Sequence, residues 1–211
     1  GEAAMTKCIA IGGNAMNSTA ANAPTGTIAI GYDALTSLTD GLYNIAIGYG
    51  AFDAADAGED DCIAIGLNAL GAADTSNRNV AIGREALFTQ NFTTSTDSYN
   101  TAMGYHAGKL LTTGIRNTLI GGLAGDAITD ADNNEAFGYG ALSSNVLGSR
   151  SVAIGTATLL SQNPASATEM YNVAVGFEAG LSISTGVQNT FIGGLAGDAN
   201  TTASNNTAVG Y

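Results

Sequence analysis

Short apolar runs punctuated by glycine recur along the whole chain. The unit reads N-x-A-I-G-x-x-A-L, with its glycine at Gly12, Gly31, Gly48, Gly66, Gly83, Gly104, Gly121, Gly138, Gly155, Gly176, Gly193 and Gly210. Successive glycines are 17 to 21 residues apart, so twelve copies form one array over residues 1–211 and leave no room for a second domain. The residue before each glycine is large and apolar, and two before it stands Ala in ten of twelve copies. Three after it stands Ala in ten of eleven, with Thr158 the exception. The runs are too short and too β-branched for helices, and each reads as a short strand closed by a tight bend.

One strand per coil predicts a parallel stack: an all-β, parallel β-solenoid (β-roll) of about twelve coils of 17–21 residues. At the strand spacing of about 4.8 Å, this would extend to about 55 Å. A larger period lies on top, because Gly31 to Gly104 is 73 residues and Gly104 to Gly176 is 72. Accordingly "NTLIGGLAGDA" at 117–127 returns as "NTFIGGLAGDA" at 189–199.

Stacking assigns roles to the columns. Four residues before the glycine stand Asn44, Asn79, Asn100, Asn117, Asn134, Asn172, Asn189 and Asn206, a structural ladder whose amides can hydrogen-bond from coil to coil. The large residue before the glycine, such as Ile120, is expected in the core, and the Ala positions where backbones approach closely. In "SVAIG" (151–155), Val152 and Ile154 face one way and Ser151 and Ala153 the other, yet both faces are largely apolar across the copies. One face can fill the interior; the other needs another chain or a second layer. Thr101, Thr118, Glu135, Thr190 and Thr207 interrupt the Ile/Val side in later copies.

"SVAIG" (151–155), "NVAIG" (79–83), "NIAIG" (44–48) and "NTAVG" (206–210) resemble the YadA-like head repeats of trimeric autotransporter adhesins and the similar repeats of phage tail fibres. The resemblance covers the whole chain, and the A-[LG] ending fits the phage-fibre type better. It implies a parallel trimer of β-rolls in a fibre outside a cell or virion, meeting a cell-surface glycan or protein receptor.

Composition narrows the partners. Only 11% of residues are charged and the net charge is −12, which repels phosphate backbones and anionic lipid, so no nucleic acid is expected. No apolar stretch approaches the roughly 18 residues of a membrane span, so no membrane insertion by this segment is expected. The first residue is Gly and the array starts and stops within a repeat, which suggests a fragment of a longer fibre.

Candidate chemistry is sparse. "IGGLAGD" lacks the Gly-Lys-Ser/Thr of a phosphate loop, and Ala124 stands where a calcium nonapeptide needs Gly, leaving Asp126 and Asp198 as weak ligands. The turn "DAADAGEDD" gathers Asp53, Asp56, Glu59, Asp60 and Asp61, oxygen donors of the kind Ca²⁺ takes, although such a turn serves equally as a solvated loop. Cys8 and Cys62 share a ladder column three coils apart, about 14 Å by strand spacing, too far for an intrachain disulfide. His106 is the only histidine and sits in a polar slot, so no His-assisted nucleophile or multi-His metal site is available, and an enzyme is not expected. Tyr32, Tyr49, Tyr105, Tyr139, Phe177 and Tyr211 form a partial aromatic column that covers a corner or holds sugar rings. The two longest connections carry Phe92, Tyr99, Met170 and Tyr171, candidate contact residues because recognition favours loops on a rigid scaffold.

The function expected is a structural and adhesive rod of an extracellular fibre, on a virion tail or a bacterial cell surface, that presents or contributes to host attachment and has no cofactor. The alternatives are an ice- or surface-binding solenoid, a self-assembling extracellular filament subunit, and a polysaccharide-cleaving fibre. No T-x-T ladder supports the first, and no carboxylate pair on adjacent coils supports the last.

Overall fold

The computed structural model describes residues 6–18, 24–56 and 58–211. Among them the chain is all-β without helix, a parallel β-solenoid of about eleven turns, counted between twelve motif strands. No helix is long and apolar enough to cross a membrane among these residues. The coils group into two compact units, Gly1–Asn100 and Thr101–Tyr211.

In the first unit the motif strands are β1 (Ile9–Ile11), β2 (Ile28–Ile30), β3 (Ile45–Ile47), β4 (Ile63–Ile65) and β6 (Val80–Ile82). They pair in parallel in that order, with Ala10, Ala29, Ala46, Ala64 and Ala81 in one row. The short strands β5 (Ser76–Asn77) and β7 (Thr96–Asp97) make a separate parallel pair at the longest coil. The second unit stacks β8 (Thr101–Met103), β9 (Thr118–Ile120), β10 (Glu135–Phe137), β12 (Val152–Ile154), β14 (Val173–Val175), β15 (Thr190–Ile192) and β16 (Thr207–Val209). Its long coil pairs β11 (Gly148–Ser149) with β13 (Thr168–Glu169).

The inside of the strand corrects the sequence expectation. Ala29, Ala46, Ala64, Ala102, Ala136 and Ala174 have no exposed surface, whereas the large residue before the glycine points outward: Ile11 is 58% and Ile154 41% exposed, and Ile120 is half-buried. The interior is filled instead from the bend side, by fully buried Leu35, Phe52, Leu70, Leu87, Leu142 and Leu159. A narrow coil with a Leu reaching across has space for only Ala on the facing strand.

The bends depend on left-handed backbone at recurring positions, such as Asp33, Leu35 and Tyr43 with φ of 56°, 51° and 59°. The residue four after each motif glycine is Leu, Phe, Met or Gly and never β-branched, in keeping with that conformation. The motif glycine itself is obligatory: Gly31 has φ 139°, and a Cβ there would collide with the carbonyl oxygen of Gly48 on the next coil.

Candidate functional site

The ladder asparagines are bonded from coil to coil, and all but the half-buried Asn206 are buried. In the second unit the Asn117 Oδ1 accepts from the Asn134 backbone N–H at 3.0 Å and its Nδ2 at 3.2 Å, and the Asn189 Oδ1 accepts from the same groups of Asn206 at 3.0 and 2.9 Å. Four of them also donate through Nδ2 to a carbonyl fourteen residues on: Asn117 to Ala131 at 2.9 Å, Asn134 to Gly148 at 3.0 Å, Asn172 to Gly186 at 2.8 Å and Asn189 to Ala203 at 3.0 Å. In the first unit Asn44 donates likewise to the Glu59 carbonyl at 2.5 Å and accepts from the Cys62 N–H at 2.9 Å. Asn79 accepts from the Asn100 N–H at 3.0 Å. Cys62 takes a ladder place and aims its thiol at the Ser76 carbonyl, 3.4 Å away, while Cys8 lies against the Pro24 carbonyl at 3.1 Å. Both cysteines are free, and burial pushes the Cys62 thiol up to about 12.

"IGGLAGD" is core packing. Leu119 replaces the usual Ala on the strand, and Gly125 replaces the usual Leu on the bend. A Cβ on Gly125 would lie 2.8 Å from the Leu119 Cδ2, so the two positions meet inside the coil. Phe191 and Gly197 repeat the exchange. Asp126 is occupied by a hydrogen bond from the Ser143 hydroxyl at 2.7 Å. His106 stacks on Tyr105 with ring centroids 3.7 Å apart.

The outer surface carries two kinds of exposed feature. In the first unit the outward strand positions are all aliphatic: Ile9, Ile11, Ile28, Ile30, Ile45, Ile47, Ile63, Ile65, Val80 and Ile82. Along the bend, Tyr32 and Tyr49 stack at 5.4 Å, and Tyr105 and Tyr139 are also exposed, with Gly122 in the column position between them.

Around the long coils the candidate contact residues separate. Met170 is fully buried, so it joins the core and not a contact surface; its flexible thioether fills the widened coil. Phe92 is half-buried, while Tyr99 and Tyr171 are exposed. Each tyrosine lies under an arginine: Arg78 over Tyr99 at 5.8 Å and Arg150 over Tyr171 at 5.6 Å. Arg78 pairs with Asp97; Arg150 meets Glu169 at 3.0 Å, and the Tyr171 hydroxyl donates to Glu169 at 2.7 Å. The shared offset of 72 residues is visible in the sequence, but the pairing of residues some 20 apart needs the coil to be closed.

The acidic turn disperses. The Asp60 Oδ1 accepts from the Leu42 N–H at 2.7 Å, Asp61 faces Arg78 at 3.9 Å, and Asp53 stands apart with its carboxyl raised by burial and by Asp33. Asp56 and Glu59 instead meet Asp74 of the next coil, one carboxylate oxygen of each lying within 4.8 Å of the others. Glu59 is fully buried. Its Oε1 accepts from the Thr75 N–H at 2.8 Å, but its Oε2 and the Asp74 Oδ1 are buried with no hydrogen-bond partner. Burial, then the neighbouring Asp74 carboxylate, pushes the Glu59 carboxyl up to about 7. The corresponding place, seven residues before the motif glycine, is Gly41, Gly114, Ala131, Gly148, Gly186 or Ala203 in six other coils and Pro24, Ser76, Asp97 or Glu169 in four more.

No family model, curated protein or solved structure matches this chain.

Proposed function

We propose that the chain is a structural and adhesive rod segment of an extracellular fibre, a phage tail fibre or a bacterial surface adhesin, assembled as a parallel homotrimer and without catalytic activity. The observation that carries this reading is the outward aliphatic face of β1, β2, β3, β4 and β6. Ten Ile or Val side chains line a regular ladder, Ile9 (47%) and Ile11 (58%) exposed and the other eight half-buried in the isolated chain. An apolar surface of that extent on a soluble protein marks a protein interface, and identical chains in register present the same ladder to one another. The exposed Tyr32 and Tyr49 pair then offers ring faces to a cell-surface glycan.

Native mass spectrometry tests the assembly. Three times the 21.0 kDa protomer is expected for the wild type, and a monomer for Ile47→Asp/Ile65→Asp with the β circular-dichroism spectrum retained. A monomeric wild type sinks the trimer. The adhesive part is read on a glycan array, where Tyr32→Ala/Tyr49→Ala removes the signal; a wild type that binds no glycan refutes it.

A further inference from the structure

The buried Glu59 asks for a counter-charge. Several other coils fill its position with Gly or Ala, whose backbone carbonyl takes the Asn ladder bond without any side chain, as Ala131 does for Asn117 at 2.9 Å and Gly186 for Asn172 at 2.8 Å. Glu59 keeps that carbonyl bond, with Asn44 at 2.5 Å, and adds a carboxylate with no exposed surface. One of its oxygens is satisfied by the Thr75 N–H, while Oε2 and the facing Asp74 Oδ1 lack any donor. Burying a carboxylate beside a second one is strongly unfavourable unless a shared proton or a cation joins them, and near neutral pH a cation competes for the place of the proton. The exposed Asp56 completes the group and leaves a route from solvent.

We propose that Asp56, Glu59 and Asp74 bind one Ca²⁺ ion and so cross-link two successive coils of the first unit. The dimensions suit that ion. Oxygens sharing a Ca²⁺ at about 2.4 Å lie at most about 4.8 Å apart, which is the limit that all three carboxylate oxygens meet. Mg²⁺ gives up its waters reluctantly and is usually held by one or two carboxylates, not by three. Zn²⁺ favours nitrogen and sulfur ligands, which this group does not supply. Water completes the sphere on the Asp56 side.

Equilibrium dialysis with ⁴⁵Ca²⁺ and thermal melts in EDTA or Ca²⁺, on the whole chain at pH 7.5, test the site. Expected are one ion bound per chain at saturation, a higher Tm in Ca²⁺ than in EDTA, and no comparable gain with equimolar Mg²⁺. Glu59→Gln keeps the shape and the Thr75 bond; it should melt no lower than wild type in EDTA, lose at least about tenfold in Ca²⁺ affinity, and lose the Ca²⁺ gain in Tm. Asp56→Asn, at the exposed rim, supplies the same readout should Glu59→Gln not fold. A wild type that binds no Ca²⁺ and melts identically in EDTA overturns the proposal, the pair then sharing a proton. A Ca²⁺ gain that persists in the variants also overturns it, by placing the ion elsewhere.

Discussion

The two units carry the same repeat at an offset of 72 to 73 residues, but two coils of the second, those of Leu119 and Phe191, fill the interior from the opposite wall. In the first, Ala46 on the strand faces a fully buried Phe52 on the bend; in the second, Leu119 stands on the strand and Gly125 on the bend. The interior therefore conserves volume and not residue identity, as expected of a close-packed core. The polar part of the core differs in the same instructive way. In the first unit Asn79 and Gln90 meet at 3.4 Å and leave the Asn79 Nδ2 and the Gln90 Oε1 without partners. In the second, the shorter Ser151 exchanges bonds with Gln162 at 3.0 and 3.2 Å, and the Gln162 Oε1 also accepts from the Asn172 Nδ2 at 2.9 Å. One long amide fewer lets the whole set close.

The largest effect should come from breaking the core exchange. Leu119→Ala is expected to cost about 3–4 kcal/mol by leaving a cavity, and Gly125→Leu about 1–3 kcal/mol by overpacking against Leu119 and Ile128. The double variant restores the arrangement of the first unit and should recover most of that loss. Urea denaturation of all four proteins reads the coupling, and additive costs would refute the shared volume.

Next comes the acidic cluster, which the second unit lacks, Ala131 standing at the equivalent position. Folded Glu59, facing Asp56 and Asp74 and lying near the Cys62 thiol, holds its proton up to about pH 7, against 4.5 for an ordinary glutamate. Between those values the folded state keeps a proton that the unfolded chain has released, so stability falls as pH rises through the window. In EDTA the loss should reach up to about 3 kcal/mol. Melts from pH 4.5 to 8 check this, and Glu59→Gln should flatten the curve by the same amount; an unchanged slope in that variant would be decisive against it.

A smaller effect tests the polar comparison. Asn79→Ser, which gives the first unit the residue of the second, should stabilise by about 1 kcal/mol, and Ser151→Asn should destabilise by a similar amount. Denaturation midpoints decide it, and equal signs for the two changes would contradict the account. Smallest are the surface pairs: Arg78→Ala and Arg150→Ala should each cost less than about 1 kcal/mol, because both side chains are substantially exposed, and the cost should shrink in 0.5 M salt. A loss of several kcal/mol in either would mean these arginines hold the long coils together.

Period, strand, bend and ladder were legible in the sequence because a stack requires the same residue type at the same place in every coil. The motif glycine meets the next coil's backbone, and each Asn must reach the coil beyond it, so both recur in the letters. The three-residue strands follow from the same spacing. Which strand face is inside was not legible. Ala and Ile alternate with equal regularity on two apolar faces, and a period of two carries no sign. The inward choice fell to Ala once Leu35 and its equivalents crossed the narrow coil. Likewise the burial of Met170 and the meeting of Glu59 with Asp74 were not legible, because both depend on how separate coils stack. Residues 15 apart become neighbours only when the turn between them is closed, and that distance exists in the tertiary structure alone.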